Sequence, residues 1–119
     1  GVTNRIVGRP MATGAWHHVA ATWEAGTMNL YADAQPAGKA PYTPTDCSGE
    51  LVFHVALDFS TGIGVASCFG PIDEVRLSNV ARPPALQTAP YSTDTNTLML
   101  LHFDEPEGRP IEDSSRAIK

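Results

Sequence analysis

Apolar and polar residues alternate along much of the chain, which is the pattern of a β-strand with one buried face. In residues 16–24 (WHHVAATWE), the positions of Val19, Ala21 and Trp23 form one wholly apolar face. We therefore predict a strand here and expect Trp23 to belong to the core. A tight connection containing a glycine leads to the alternating segment 28–33 (MNLYAD), so the two segments together predict a β-hairpin.

Further short strands are predicted along the rest of the chain. The candidates are residues 34–40, 51–59, a weak segment within 60–68, 69–78 and 98–103. Pro36 interrupts the first of them, whereas the last (LMLLHF) is continuously apolar, which predicts a strand buried on both faces in its own sheet or in a partner's. Residues 81–87 predict a single helical turn, and the polar sequence after Asp104 predicts no packed element. Six or seven short strands with almost no helix predict an all-β fold, an antiparallel β-sandwich or jelly roll.

Composition narrows the class of protein but not its chemistry. The 119 residues are enough for one domain, 1–119, and ten Gly with ten Pro favour strands joined by many turns. No run of 18 apolar residues occurs, which excludes a membrane-spanning helix. The net charge of −5 provides no basic surface for nucleic acid or anionic lipid. The first residues carry no signal-peptide pattern.

Three segments resemble one known family. Most of residues 16–82 is covered by WHHVAATW, GTMNLYAD and FGPIDEVRLSNVAR. These segments resemble the middle and end of a laminin-G-like jelly roll of the concanavalin A-like lectin/glucanase superfamily. Within residues 98–115, LLHFDE and the later DSS resemble the strand that opens such a domain. Because that strand comes last here, the resemblance implies a β-sandwich that is incomplete or circularly permuted. Either the chain was cut from a tandem array, or the late strand occupies the place of the first.

The resemblance implies a function in binding. We expect a non-catalytic, lectin-like binding or adhesion module for a carbohydrate or a protein surface, secreted or part of a larger extracellular protein. The alternative is a self-associating structural module without a small-molecule ligand, because a sandwich that lacks strands exposes sheet edges through which a homodimer can form. A module without any ligand is the third possibility.

Catalytic and metal-binding patterns are weak in this sequence. Asp73 and Glu74 are adjacent, so in a strand they point to opposite faces and cannot act as the paired carboxylates of a glycoside hydrolase. We therefore expect no enzyme. The neighbouring His17 and His18 diverge in the same way, and His54 and His102 lie within apolar segments, so we expect packing histidines and no metal site.

Calcium and a sugar are the two small ligands that the resemblance suggests. Pentraxin-like and laminin-G-like relatives often bind calcium at the loop rim, and Asp58 is similar in placement to a pentraxin ligand, although apolar residues precede it here. Asp58 is thus a weak calcium candidate, and we expect no other cofactor. Sugars stack on exposed aromatic faces, and Trp16 and Tyr42 are the aromatic residues best placed for exposure.

The two cysteines, Cys47 and Cys68, lie on either side of the predicted strand 51–59. Because the resembled family is largely extracellular, the resemblance favours a disulfide between them. Two free thiols in a reducing compartment are the alternative.

Overall fold

The computed structural model describes residues 4–44, 57–58, 66–67 and 71–115. Every regular element in these ranges is a β-strand, and every strand pair is antiparallel. The strands are β1 (Val19–Glu24), β2 (Thr27–Ala32), β3 (Gln35–Pro41), β4 (Leu57–Asp58), β5 (Ala66–Ser67), β6 (Val75–Ser78) and β7 (Thr97–Leu101). The predicted all-β, antiparallel fold class is confirmed.

The first three strands form one sheet in the order β1-β2-β3. Two-residue loops join them, and all four loop residues have positive φ: Ala25 (48°), Gly26 (80°), Asp33 (51°) and Ala34 (64°). Two consecutive left-handed residues make a turn whose twist matches that of the flanking strands. The hairpin that the sequence predicts is therefore confirmed, and a third strand continues it.

Pro36 lies within β3, so the prediction that it breaks this strand is wrong. Among the described residues β3 is an edge strand, and edge strands tolerate proline because an N–H on their outer side needs no partner in the sheet. The pairing also shifts register between Leu30 and Tyr31, so that Leu30 pairs with Gly38 and Tyr31 with Pro36. This bulge takes up one extra residue of β3.

One face of this sheet is apolar and only partly covered. The residues that share it through cross-strand pairing are Val19, Ala21, Trp23, Met28, Leu30, Ala32, Gly38 and Ala40. The N-terminal segment covers the β2–β3 side: a Cβ on Gly8 would lie 2.6 Å from Leu30 Cδ2, and one on Gly38 would lie 3.1 Å from the Val7 carbonyl oxygen. On the β1 side, Val19 is 54% exposed and Trp23 is 48% exposed. The prediction that Trp23 belongs to the core is wrong, because alternation identifies a face without showing what covers it.

β6 and β7 form a second sheet, so the late apolar strand pairs within its own chain. Leu77 pairs with Met99 but Ser78 pairs with Thr97, which leaves Leu98 as the extra residue of a bulge. Leu98 is accordingly 44% exposed, whereas Leu100 is 1% exposed. The prediction that this strand is buried on both faces is therefore wrong at the bulge.

The polar segment near the C-terminus packs against β7, contrary to the prediction that nothing after Asp104 is packed. Leu100 N donates to Asp113 Oδ1 at 3.0 Å, and Ser114 N donates to Leu100 O at 2.8 Å. Ser115, only 6% exposed, donates its hydroxyl to Leu98 O. The sequence pattern missed this contact because polar side chains and backbone groups make it, without any apolar periodicity.

Residues 81–87 form no helical turn. Arg82 and Pro83 each precede a proline, and that position disfavours the helical conformation. Arg82 is bound instead through its side chain, which donates to both carboxylate oxygens of Asp94 at 3.0 and 2.8 Å. This ion pair connects the segment after β6 to the turn before β7.

A third pair of strands, β4 and β5, aligns Leu57 with Ser67 and Asp58 with Ala66. β4 lies within the strand predicted at 51–59, and β5 lies within the weak segment predicted at 60–68. The remainder of both predictions lies outside the described residues.

Candidate functional site

The segment before β1 is held by the imidazole of His17. Its Nδ1 lies 2.8 Å from Asp33 Oδ2, and its Nε2 lies 2.7 Å from the carbonyl oxygen of Ala12. Both neighbours are acceptors, so both ring nitrogens must carry a proton for both hydrogen bonds to form. The hydrogen bond to Asp33 accordingly raises the pKa of His17, and the same bond lowers the pKa of Asp33.

Asp33 is positioned for this contact by the turn between β2 and β3. Its second oxygen, Oδ1, accepts a hydrogen bond from the backbone N–H of His18 at 2.9 Å, and its own N–H donates to His18 O at 2.8 Å. The carboxylate therefore joins the loop, the start of β1 and the His17 ring in one cluster.

Trp16 lies directly before this cluster in the chain. It immediately precedes His17, and 67% of its surface is exposed. Tyr42, the other aromatic residue proposed from the sequence, is half-buried at the end of β3, where its N–H donates to Gly26 O at 2.8 Å. The structure thus presents Trp16 to solvent to a greater degree than Tyr42.

The two edges of the first sheet differ in character. β3 carries Pro36, Lys39 and Pro41 along its edge, and prolines and lysines are the residues that protect edge strands from further pairing. β1 has the sequence VAATWE, with neither residue type. In the part of the chain that the structure describes, β1 pairs with β2 alone. The β1 edge is therefore the less protected of the two.

A second polar cluster links the residue before β1 to β6 and the residue before it, and Tyr91 is its centre. The Tyr91 hydroxyl is hydrogen-bonded to His18 Nε2 at 2.6 Å, and the Arg76 guanidinium lies 4.1 Å from the centre of the Tyr91 ring. Burial raises the pKa of Tyr91 and lowers that of Arg76. The Tyr91 N–H donates to Glu74 Oε2 at 3.0 Å, so the network continues into β6.

Glu74 also binds His102. The Nδ1 of His102 donates to both carboxylate oxygens, at 2.8 and 3.0 Å, and this interaction raises the pKa of His102. Asp104 completes a group of three: Glu74, His102 and Asp104 offer one ligand atom each, all within 4.8 Å of one another. Among the described residues, this group has a composition and spacing that can hold a metal ion.

The sequence pattern does not bring these three residues together. It places Glu74 next to Asp73 and predicts that His102 packs inside a strand. Glu74 and His102 are 28 positions apart and meet because β6 pairs with β7. Both motifs that contain them, IDEV and LLHFD, were recognised, but the strand pairing that joins them is not visible in the sequence.

Some predicted site residues lie in parts of the chain that the structure does not describe. Cys47 and Cys68 lie outside the described residues, as does His54. Asp58 is the last residue of β4, but its side chain is not described. The disulfide and the calcium site therefore stay predictions.

The all-strand, antiparallel fold places the chain in the class of antiparallel β-sandwich proteins. A laminin G-type family model, described as the concanavalin A-like lectin/glucanases superfamily, matches residues 2–85, and the chain belongs to this family. Comparisons with curated proteins and with solved structures found no match. Proteins of this superfamily commonly bind carbohydrates or proteins, and its laminin G-like domains are generally non-catalytic and typically extracellular. None of the described residues belongs to a helix long and apolar enough to cross a membrane.

Proposed function

We propose that this chain is a non-catalytic binding module whose ligand is a carbohydrate or a protein surface, and that Trp16 contacts that ligand. The observation that carries the proposal is an exposed indole next to an anchored residue. Trp16 is 67% exposed, yet the next residue, His17, is bound through both ring nitrogens.

An exposed indole beside an anchored backbone suits recognition of a sugar. Its flat apolar face stacks on the C–H surface of a pyranose ring, while its N–H remains available to a hydroxyl. Because the backbone at His17 and His18 is fixed through Asp33, little conformational entropy is lost at this position on binding. An aromatic residue fixed in advance therefore binds more strongly than one on a loose loop.

The cellular setting of this module is part of the proposal. We place it outside the cell, as the typical location of laminin G-like domains favours. A Cys47–Cys68 disulfide and a calcium ion at Asp58 fit that setting, and both stay predictions.

Self-association is the second candidate function, and a separate observation supports it. The β1 edge lacks the proline and lysine that protect β3, and Val19 and Trp23 are about half exposed beside that edge. Two copies pairing along β1 would satisfy the unpaired backbone groups and bury both apolar stripes. In this candidate Trp23, rather than Trp16, is the important tryptophan.

The two tryptophans allow the candidates to be tested separately. Binding is measured on an array of immobilised oligosaccharides, and association by light scattering across a range of protein concentrations, for Trp16→Ala, Trp23→Ala and the unchanged chain. We expect Trp16→Ala to lower the affinity for a bound glycan about tenfold or more, because the stacked area is lost. Trp23→Ala, the matched control, should leave glycan affinity unchanged.

Other results would decide against these assignments. If no glycan binds, or if Trp16→Ala binds as well as the unchanged chain, the carbohydrate function at this residue is wrong. If the unchanged chain is monomeric at all concentrations, self-association is wrong. A dimer that Trp23→Ala dissociates and Trp16→Ala preserves would support the second candidate.

A further inference from the structure

We propose that Glu74, His102 and Asp104 form a binding site for a divalent transition-metal ion. The site goes beyond the binding function proposed above and does not depend on it. One imidazole nitrogen and two carboxylate oxygens lie within 4.8 Å of one another, on residues that come from two different parts of the chain.

The backbone directs these side chains towards each other. Phe103, between His102 and Asp104, has a φ of 59°, so the chain leaves the extended conformation of β7 at this residue. In an extended strand, residues two apart lie roughly 6.6 Å apart along the chain. Glu74, the residue immediately before β6, has a φ of 54°. Left-handed conformations are unfavourable for bulky residues, and such strain is concentrated at sites that bind ligands.

The separation of the His102 nitrogen from the Glu74 carboxylate is close to that of two ligand atoms on one ion. His102 Nδ1 lies 2.8 Å from Glu74 Oε1 and 3.0 Å from Oε2. Two ligand atoms about 2.1 Å from a common ion are separated by roughly 3.0 to 3.4 Å, depending on the geometry. An ion that replaces the proton on Nδ1 would therefore need only a small adjustment of this pair.

The third ligand is available and the charge is favourable. Asp104 is exposed, and no hydrogen bond or ion pair engages its carboxylate among the described residues. The side chains of Glu74 and His102 are 17% and 25% exposed, so this pair is half-buried, whereas Asp104 is exposed. Two carboxylates beside one imidazole give the group a net negative charge, which attracts a cation.

The ligand types select the class of metal. Calcium and magnesium take oxygen ligands, whereas an imidazole nitrogen favours zinc and its neighbours in the first transition row. Three protein ligands leave at least one position for water or for an external group. This site is thus distinct in place and chemistry from the calcium candidate at Asp58.

The test is calorimetric titration of the full chain with zinc chloride, with calcium chloride titrated in parallel. Asp104→Asn removes one ligand charge and keeps both partners of the Glu74–His102 hydrogen bonds, and Glu107→Gln is the matched control because Glu107 is also exposed but lies outside the group. We expect zinc to bind the unchanged chain and Glu107→Gln equally. Asp104→Asn should bind it about tenfold or more weakly, and calcium should not displace it.

A second variant guards against zinc bound elsewhere on the chain, which carries further histidines and two cysteines. His102→Gln should also lose affinity, and the NMR signals of the His102 ring in the unchanged chain should shift on addition of zinc. Equal zinc affinity in the unchanged chain and Asp104→Asn would overturn the proposal, and so would the absence of zinc binding. Circular dichroism verifies that each variant is folded. Glycan binding is measured without zinc, so failure of this site and failure of the proposed function can be distinguished.

Discussion

At the scale of single residues, His17 connects the fold to the proposed ligand contact. Its ring donates to Asp33 Oδ2 and to the Ala12 carbonyl, and both bonds require the protonated form. Asp33 is the charged group that faces it, and both hydrogen bonds raise the pKa of His17 above its ordinary value. Protonation of one ring thus helps to hold the segment that carries Trp16.

This arrangement predicts a specific pH dependence of stability. A histidine whose pKa is raised by folding contributes fully below its unfolded pKa of about 6.5, and the contribution is lost as pH rises through the folded pKa. The free energy of unfolding in urea should therefore exceed that of His17→Gln by more at about pH 5.5 than at about pH 8.5. On the acid side, the advantage should decline as Asp33 is protonated, below its ordinary pKa. A difference between the two proteins that is constant with pH would contradict this assignment.

At the scale of elements, β7 carries the best-buried side chain described in the structure. Leu100 is 1% exposed, and its backbone N–H and carbonyl are both bonded to the segment 113–115. Leu98, two residues earlier, is 44% exposed at the bulge. The strand therefore contains one buried and one exposed leucine only two residues apart.

The pair gives a matched test of the β7 arrangement. Leu100→Ala should lower the free energy of unfolding by about 2–5 kcal/mol, because it removes buried apolar surface and leaves a cavity. Leu98→Ala should lower the free energy of unfolding by less than about 1 kcal/mol, since much of the Leu98 side chain is already exposed to water in the folded chain. Urea denaturation measures both values. Equal losses in the two variants would show that the bulge at Leu98 is misplaced.

The sequence predicted the positions of strands better than it predicted which of their side chains are buried and which strands pair. Alternation located the strands around residues 16–33, and the structure confirms them, because side-chain period follows directly from strand geometry. It misplaced Trp23 in the core, since period alone does not reveal which face is covered. It also missed the cluster of Glu74, His102 and Asp104, which depends on the pairing of distant strands.

At the scale of the whole molecule, Tyr91 joins the first sheet to the second. Its hydroxyl bonds to His18 beside β1, its N–H donates to Glu74 beside β6, and its ring lies under the Arg76 guanidinium. Because β7 pairs with β6, the residues of 98–115 lie beside the strand that closes the family motif. We propose on this ground that they occupy the place of the first strand of the domain.

Tyr91→Phe should weaken the contact between the sheets. The variant keeps the ring beside Arg76 but removes the partner of His18 Nε2, and the other ring nitrogen, Nδ1, has no hydrogen-bond partner among the described residues. We expect the free energy of unfolding to fall by about 1–3 kcal/mol. Tyr42→Phe, at a half-buried residue outside this network, should cost less than about 0.5 kcal/mol. A Tyr91→Phe protein as stable as the unchanged chain would show that the hydroxyl does not join the sheets.

The central claim is that the molecule is a binding module that presents Trp16 to its ligand. The most direct measurement is the affinity of the unchanged chain and of Trp16→Ala for the glycan that binds best on the array, with Trp23→Ala as the control. We expect the affinity of Trp16→Ala to be about tenfold or more lower than that of the unchanged chain, and the affinity of Trp23→Ala to be unchanged. Equal affinity for all three proteins, or loss in Trp23→Ala alone, would contradict it.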